Sequence, residues 1–248
     1  MFKKKHILMT SVFAFLGIML GQREVFAMHI MEGFLPPIWA AVWLATSIPF
    51  IFLGIKSIKK LTQDNGNMKM LLGLCGAFAF VLSSLKLPSV TGSCSHPTGV
   101  GLSAILFGPG ATSVIAVVVL LFQALLLAHG GISTLGANVF SMGIAGPVAS
   151  FLIYKFLDKL GTSKRISVFS AAALGNLITY IVTSLQLGLA FPTEAGIMAS
   201  ILKFMGIFAV TQIPLAISEG LLTVVVYNLL TSYNQEELNE LALAREGR

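Results

Sequence analysis

Charged side chains are scarce in this sequence of 248 residues. They make up 10% of the chain, whereas hydrophobic residues make up 56% and the mean hydropathy is +0.88. A water-soluble protein of this size could not cover its core with so little charge, since globular proteins average about 25% charged residues. The sequence therefore indicates a membrane protein. Its net charge of +6 comes from basic loops between apolar segments, which argues against nucleic-acid binding.

Several catalytic and structural motifs are also missing. The two cysteines form no disulfide framework. Cys75 lies in an apolar run and is interpreted as a packing residue, whereas Cys94, two residues before His96, is a weak candidate ligand. There is no Gly-x-x-x-x-Gly-Lys-[Ser/Thr] loop, no His-Glu-x-x-His and no recognisable Ser/His pair. The chain is thus expected not to be an enzyme, and active transport would need a partner that hydrolyses ATP.

The amino terminus has the three parts of a secretory signal. Lys3–Lys5 form a basic region, residues 7–20 an apolar region, and Val25-Phe26-Ala27 a cleavage site of the small-x-small type. We expect residues 1–27 to be a signal peptide that is cleaved after Ala27. The alternative is an uncleaved first transmembrane helix, although the apolar run is short for a span.

Cleavage after Ala27 would create a metal chelator. The mature chain would begin Met28-His29, and this dipeptide offers three nitrogens: the α-amine, the His29 amide nitrogen and His29 Nδ1. The chelate rings would have five and six members and little strain. An all-nitrogen planar set suits Ni(II), Cu(II) or low-spin Co(II). Residues 28–35 are therefore predicted to be an extracytoplasmic metal-binding loop.

The fold class predicted for the rest is an all-α, multi-pass membrane protein with seven transmembrane helices. Basic residues after the first and fifth segments place those loops inside, the amino end outside and the carboxyl end inside. The segment 97–108 is short for a span, so the preceding loop 85–96 should be buried in protein. Residues 36–232 form this domain, and 233–248 a cytoplasmic tail with a short helix. The apolar segments are 36–56, 69–86, 97–108, 111–128, 138–157, 166–188 and 197–231.

Three histidines remain after the signal peptide, and the topology puts all of them near the outer face. His29 lies in the amino-terminal loop, His96 in the loop expected to be buried, and His129 at the outer end of the fourth span. Pro97 disfavours helix at His96 and the flanking glycines allow a compact loop, so His96 is the choice for a fourth nitrogen ligand. His129 is either a further ligand or a residue that orients one.

Two carboxylates and two small-residue faces also stand out. Glu32 is close to the predicted site and could orient His29 or offset metal charge. Glu219 lies within the last apolar segment, where an ionisable group is costly; it is either functional or a hydrogen-bonded packing residue. Gly73 and Gly76 make a smooth helix face, as do Ala171–Gly175, for packing or for another membrane subunit.

Five stretches of the sequence resemble one protein family. The opening Met28–Pro37 resembles the amino-terminal signature of the CbiM/NikM family, the substrate-binding subunits of energy-coupling factor transporters for cobalt and nickel. The resemblance covers about 28–232, and it implies a seven-helix subunit with a square-planar nitrogen site formed by the Met28 amine, the His29 amide nitrogen and imidazole, and His96. It also implies three partners: the small membrane subunit CbiN, the coupling subunit CbiQ and the ATPase CbiO. The further stretches are Ser93–Gly99, His129–Gly131, Leu135–Pro147 and Ile217–Gly220.

The function predicted on this basis is capture of Co²⁺ for import and cobalamin synthesis. Ni²⁺ uptake by the same class of transporter is the close alternative, because the same ligands serve both ions. A stand-alone metal channel or sensor is a different class, and the lack of a row of carboxylates argues against a channel. The expected location is the bacterial plasma membrane. No organic cofactor is expected; the ion is the transported substrate.

Overall fold

The computed structural model describes residues 29–63, 66–88 and 94–246, so the leader and Met28 lie outside the described residues. Within the described ranges the chain is almost entirely helical, apart from one antiparallel pair of two-residue strands, β1 (Leu87–Pro88) and β2 (Cys94–Ser95). The helices are α1 (Pro37–Thr62), α2 (Asn67–Ser84), α3 (Val100–Phe107), α4 (Pro109–Leu127), α5 (Leu135–Lys159), α6 (Lys164–Ala190), α7 (Ile197–Tyr233) and α8 (Gln235–Glu246).

Six helices in the described ranges are long and apolar enough to cross a membrane: α1, α2, α4, α5, α6 and α7. Large apolar side chains lie exposed on their outer faces, including Phe52, Leu126 and Met198. In water such a surface would be unfavourable, whereas lipid chains cover it at no cost. The protein is therefore a multi-pass membrane protein. The signal peptide, the seventh crossing and the orientation stay predictions.

Helix α3 is the short segment on which the seventh crossing depends. Its eight residues are all buried, and at 1.5 Å per residue it is about 12 Å long. The Gly108-Pro109-Gly110 turn separates it from α4 as predicted, with Gly108 at φ +85° and Pro109 in the first turn of α4. Helix α3 is thus a central element that protein surrounds on all sides.

The loop 85–96, before α3, is exposed at its first residues and buried at its last two. Leu85 and Leu87 are about half exposed, whereas Ser95 and His96 have no exposed surface. The expectation that all of 85–96 enters the protein is therefore wrong for its first residues, which follow the end of α2 and remain exposed. Gly99 ends the loop at φ +70°, and a Cβ there would lie 2.6 Å from the Cα of Ala79. Only glycine permits this close approach between the loop and α2.

Small residues allow the inner helices to pack closely. A Cβ on Gly101 of α3 would lie 2.9 Å from the Cα of Ala172 on α6, and one on Gly175 would overlap the Ser150 hydroxyl of α5. The smooth face predicted over 171–175 therefore serves internal packing. At Gly73 of α2, by contrast, a Cβ would meet no atom within 4 Å, so that face is open.

The tail forms the predicted short helix. In α8, Leu241 is 3% exposed and belongs to the same apolar cluster as Leu61, Met68 and Leu72. The helix therefore packs against α2 and α7.

Candidate metal centre

Three histidine side chains from distant parts of the sequence meet in one buried cluster. The ring centroids of His29 and His96 are 4.3 Å apart, those of His29 and His129 are 4.5 Å apart, and those of His96 and His129 are 4.9 Å apart. One ring nitrogen of each lies within 4.8 Å of those of the other two. The three side chains are at most 3% exposed. The structure thus brings together the three histidines that the sequence analysis singled out.

Each ring also keeps one nitrogen free of any hydrogen-bond partner within the described residues. These atoms are Nδ1 of His29, Nε2 of His96 and Nε2 of His129. Leaving a buried polar atom unpaired costs about 1–3 kcal/mol. Three such atoms in one place are therefore an expensive arrangement, which a bound cation would relieve.

Hydrogen bonding selects the tautomer of His96. Its Nδ1 lies 2.8 Å from the carbonyl oxygen of Pro97. A carbonyl oxygen only accepts, so Nδ1 carries the proton and Nε2 has a free lone pair. A histidine fixed in this way by its other nitrogen is the usual arrangement of a metal ligand.

His29 is oriented in the opposite sense. Its Nε2 lies 3.1 Å from the thioether sulfur of Met142, which is a weak acceptor, so Nε2 carries the proton and Nδ1 has the lone pair. Nδ1 is the nitrogen that a chelate with the preceding amide requires. Met142 lies in a π-helical stretch of α5 (Val139–Ala145), a type of irregularity that is common at functional sites.

His129 is brought to the cluster by the end of α4. The preceding residue, Ala128, adopts a left-handed conformation at φ +47°, unusual for a residue with a side chain. The His129 amide then donates to the Gln123 carbonyl, 3.1 Å away, and closes the helix. The strained turn directs the imidazole inward.

Burial keeps all three imidazoles neutral. Desolvation lowers the pKa of His29 well below its usual value, with the neighbouring His96 and His129 adding to the effect. It lowers the pKa of His96 to about 4 and that of His129 to about 2. Metal ligands must be deprotonated, so at neutral pH these rings are ready to bind a cation.

The amino-terminal loop is held by a pair of side chains from the start of α5. The Ile30 amide donates to Asn138 Oδ1 at 2.8 Å, and Asn138 Nδ2 donates to the Ile30 carbonyl at 3.0 Å. The Thr134 hydroxyl donates to the same carbonyl at 2.6 Å. Both the amide and the carbonyl of Ile30, the residue after His29, are hydrogen-bonded to these side chains. The backbone position of His29 is therefore fixed by the residue that follows it.

Glu32 connects the exposed side of the amino-terminal loop to the loop that follows His129. Its exposed carboxylate accepts from the Ser133 amide at 3.1 Å, and hydrogen bonds from the Ser133 side chain and backbone lower its pKa. The Glu32 amide donates to the Gly130 carbonyl at 3.2 Å. A Cβ on Gly131 would lie 2.4 Å from the Glu32 Cα, so the two loops are in backbone contact. Glu32 thus closes the loop over the cluster.

Glu219 of α7 holds the loop that carries His96. Its buried carboxylate accepts from the Thr98 amide at 2.6 Å, the Thr98 hydroxyl at 2.8 Å and the Gly99 amide at 2.9 Å. Asn176 Nδ2 of α6 donates to it as well. Four hydrogen-bond donors therefore converge on this carboxylate. Glu219, predicted to be either functional or a packing residue, holds this loop in place.

A second amide extends this network to His96 itself. Gln212 Nε2 donates to the His96 carbonyl at 3.2 Å and also to Asn176 Oδ1. Loop, α6 and α7 are therefore connected through polar side chains that sit inside apolar helices.

Two predicted site residues, Met28 and the side chain of Cys94, lie outside the described part of the chain. Sequence reasoning missed other residues: the supporting side chains Thr134, Asn138, Met142, Asn176 and Gln212. The available signal was the presence of uncharged polar residues in long apolar segments, although no spacing rule links such residues to a particular histidine.

The chain is similar to known metal transport proteins. The chain is 56% identical over 246 residues to the cobalt transport protein CbiM of Acetohalobium arabaticum, covering 99% of this chain and 98% of that protein. It is 62% identical to the cobalt transport protein CbiM of Moorella thermoacetica, over 89% and 86% of the two chains. A crystal structure of a truncated transition metal transporter superposes with a TM-score of 0.71 at 29% identity, covering 82% of this chain and 99% of that one.

A sequence model of a protein family also matches this chain. The model described as CbiM, cobalt uptake substrate-specific transmembrane region, matches residues 29–237, which include the histidine cluster and all six long helices. The resemblance drawn from the motifs is thus confirmed, and the chain belongs to the CbiM family of cobalt uptake transmembrane proteins.

Proposed function

We propose that the protein captures a divalent transition metal ion with four nitrogens: the Met28 α-amine, the His29 amide nitrogen, His29 Nδ1 and His96 Nε2. The observation that carries this proposal is the buried cluster, in which unpartnered lone pairs of neutral imidazoles face one another. His29 Nδ1 has the tautomer that chelation with the preceding amide and amine requires. Signal-peptide cleavage after Ala27 would supply the amine.

The remaining site residues would act on these ligands. His129, with its free Nε2, orients the ion or the ligands from one side, and Cys94 is a further candidate near His96. Glu32 keeps the amino-terminal loop closed, and Glu219 holds the His96 loop and supplies a negative charge behind the cation. Partners of this kind typically change metal affinity 10- to 100-fold when they are removed.

The preferred cargo is Co²⁺, with Ni²⁺ as the alternative. Both ions accept an all-nitrogen planar set, and intrinsic affinity follows the Irving–Williams order rather than biological use. The named function of the relatives favours cobalt. Genes for corrin synthesis beside the gene for this protein would support cobalt and cobalamin synthesis, whereas genes for urease or hydrogenase would support nickel.

The protein is a transport component, as its family is, and not an enzyme. We propose that it works in an ATP-driven energy-coupling factor transporter with CbiN, CbiQ and CbiO, in the bacterial plasma membrane, with seven crossings and its amino end outside. The chain lacks a phosphate-binding loop of its own, so the energy for release of a fully buried ion must come from a partner.

The test is metal analysis of the purified protein offered equal Co²⁺ and Ni²⁺, together with two variants. Insertion of one residue between Ala27 and Met28 moves the α-amine away from the chelate and should abolish tight binding. The matched control, Met28→Leu, keeps the amine and should bind normally. Metal-loaded protein whose leader is still attached on N-terminal sequencing would disprove the ligand set.

A further inference from the structure

An apolar groove opens on the lipid-facing side of the protein between α2 and α4. It has a volume of about 560 Å³, and its lining is mainly apolar. The groove exists because α2 carries glycine where a side chain would otherwise fill it. A Cβ on Gly73 would meet no atom within 4 Å, and one on Gly76 would be 3.6 Å from the nearest atom, Ile115 Cγ2.

The groove is charged at one end only. Lys69, in the first turn of α2, lines that end, and Lys59 and Lys60 lie in the last turn of the adjacent α1. Phe80 and Phe122 line the groove further along α2 and α4. Among the described residues no acidic side chain lines it. A ligand that fits this pattern has a negative head and an apolar tail.

The length of the groove matches half a bilayer. From Lys69 to Phe80 is eleven residues of helix, or about 17 Å at 1.5 Å per residue. One leaflet contributes about 15 Å of hydrocarbon, half of the roughly 30 Å core. A transmembrane helix from another protein would need a groove along the full thickness. A single acyl chain needs only one leaflet, beginning at the level of the basic residues.

We infer that this groove binds one acyl chain of an anionic phospholipid, whose phosphate contacts Lys69. The lysine supplies the preference for a negative head group, because one basic residue at the membrane surface favours an anionic lipid by about fivefold. The glycine face supplies the room for the chain. The site is separate from the histidine cluster and does not depend on the identity of the transported ion.

Native mass spectrometry of the full chain in detergent tests the site, with phosphatidylglycerol and phosphatidylcholine titrated separately. The wild type should retain one phosphatidylglycerol more tightly than phosphatidylcholine. Lys69→Gln should remove most of that fivefold preference, while the matched control Lys159→Gln, at another exposed lysine, should keep it.

A second pair of variants tests the groove itself. Gly73→Leu places a side chain in the groove, with a Cβ that meets no atom within 4 Å, and should weaken binding of both lipids at least tenfold. Gly206→Leu is the control, because a Cβ on Gly206 of α7 would also meet no atom within 4 Å. Equal lipid binding by the two leucine variants would overturn the proposal.

A photo-crosslinker at the exposed Val118, which lines the groove, tests the occupant in membranes. A lipid adduct supports the proposal. A crosslink to another membrane protein in place of lipid would overturn it, because the groove would then be a protein-docking surface.

Discussion

The Nδ1 atom of His96 lies 2.8 Å from the carbonyl oxygen of Pro97, the next residue in the chain. This contact fixes the proton on Nδ1 and leaves the Nε2 lone pair facing the other two histidines. The contact depends on proline, which keeps this loop out of a helix, so a local feature of the sequence determines which nitrogen is free. The ligand is therefore oriented before any ion arrives.

The first prediction separates the roles of His96 and His129. His96→Ala removes one of four proposed ligands and leaves a chelate open to water, so affinity should fall by far more than 100-fold and the visible spectrum of the Co²⁺ form should change. His129→Ala should weaken binding 10- to 100-fold with little spectral change. Metal titration followed by absorbance measures both effects. If His129→Ala eliminates binding and His96→Ala does not, the two roles are reversed.

The histidine cluster was predictable because topology alone brings its members to one face. Loop charge and segment length predict that His29, His96 and His129 lie on one side of the membrane, and the Met28-His29 junction predicts the chelate. The pair of hydrogen bonds between the Asn138 side chain and the Ile30 backbone was not predictable in the same way. It joins residues 108 positions apart, and a buried amide in an apolar helix has many alternative partners.

A second prediction concerns the contact between the two outer loops. Gly131→Ala would place a Cβ 2.4 Å from the Glu32 Cα and 2.7 Å from the Glu32 amide nitrogen. Because these are backbone atoms, the amino-terminal loop must move and carry His29 with it, and metal affinity should fall at least tenfold. Gly206→Ala, where a Cβ meets no atom within 4 Å, is the control for a glycine replacement. Unchanged affinity in Gly131→Ala would show that the loop contact is not needed for the site.

The third prediction concerns Glu219. Glu219→Gln replaces one of the two carboxylate oxygens with an NH2 group, which would face the Thr98 and Asn176 N–H donors in one orientation and the Gly99 N–H donor in the other. Losing charged hydrogen bonds of this kind costs about 1.5–3 kcal/mol each. The His96 loop should therefore shift, with metal affinity falling 10- to 100-fold and the melting temperature falling by several degrees.

The control for Glu219 must separate loop position from general stability. Thr223→Ala removes a buried hydroxyl one turn further along α7 that has no hydrogen-bond partner among the described residues. It should leave the Co²⁺ spectrum unchanged. If Glu219→Gln lowers the melting temperature but binds metal with wild-type affinity and spectrum, Glu219 is a packing residue only.

The extent of helix α3 shows a second limit of sequence reasoning. The apolar run 97–108 suggested a helix from its beginning, but the helix starts at Val100 because Pro97 and the left-handed Gly99 come first. Two of the three residues that precede the helix, Thr98 and Gly99, donate hydrogen bonds to Glu219. The predicted topology needs an odd number of crossings, and so it required a span at this segment. In the structure the apolar residues of α3 are buried by protein on all sides, without contact with lipid.

The last prediction is the pH dependence of metal binding. The pKa of His96 is about 4 and that of His129 about 2, and burial also lowers that of His29, so the imidazoles are already neutral between pH 6 and 8 and release no protons there. An α-amine has an ordinary pKa of about 7.7–8.0 and is mostly protonated at pH 7. Binding should therefore release more than one proton per ion at pH 7, from the amine and the His29 amide, and affinity should fall steeply from pH 8 to pH 6. Calorimetry in buffers of different ionisation enthalpy counts these protons, and a flat affinity profile would indicate that carboxylates such as Glu32 are the main ligands.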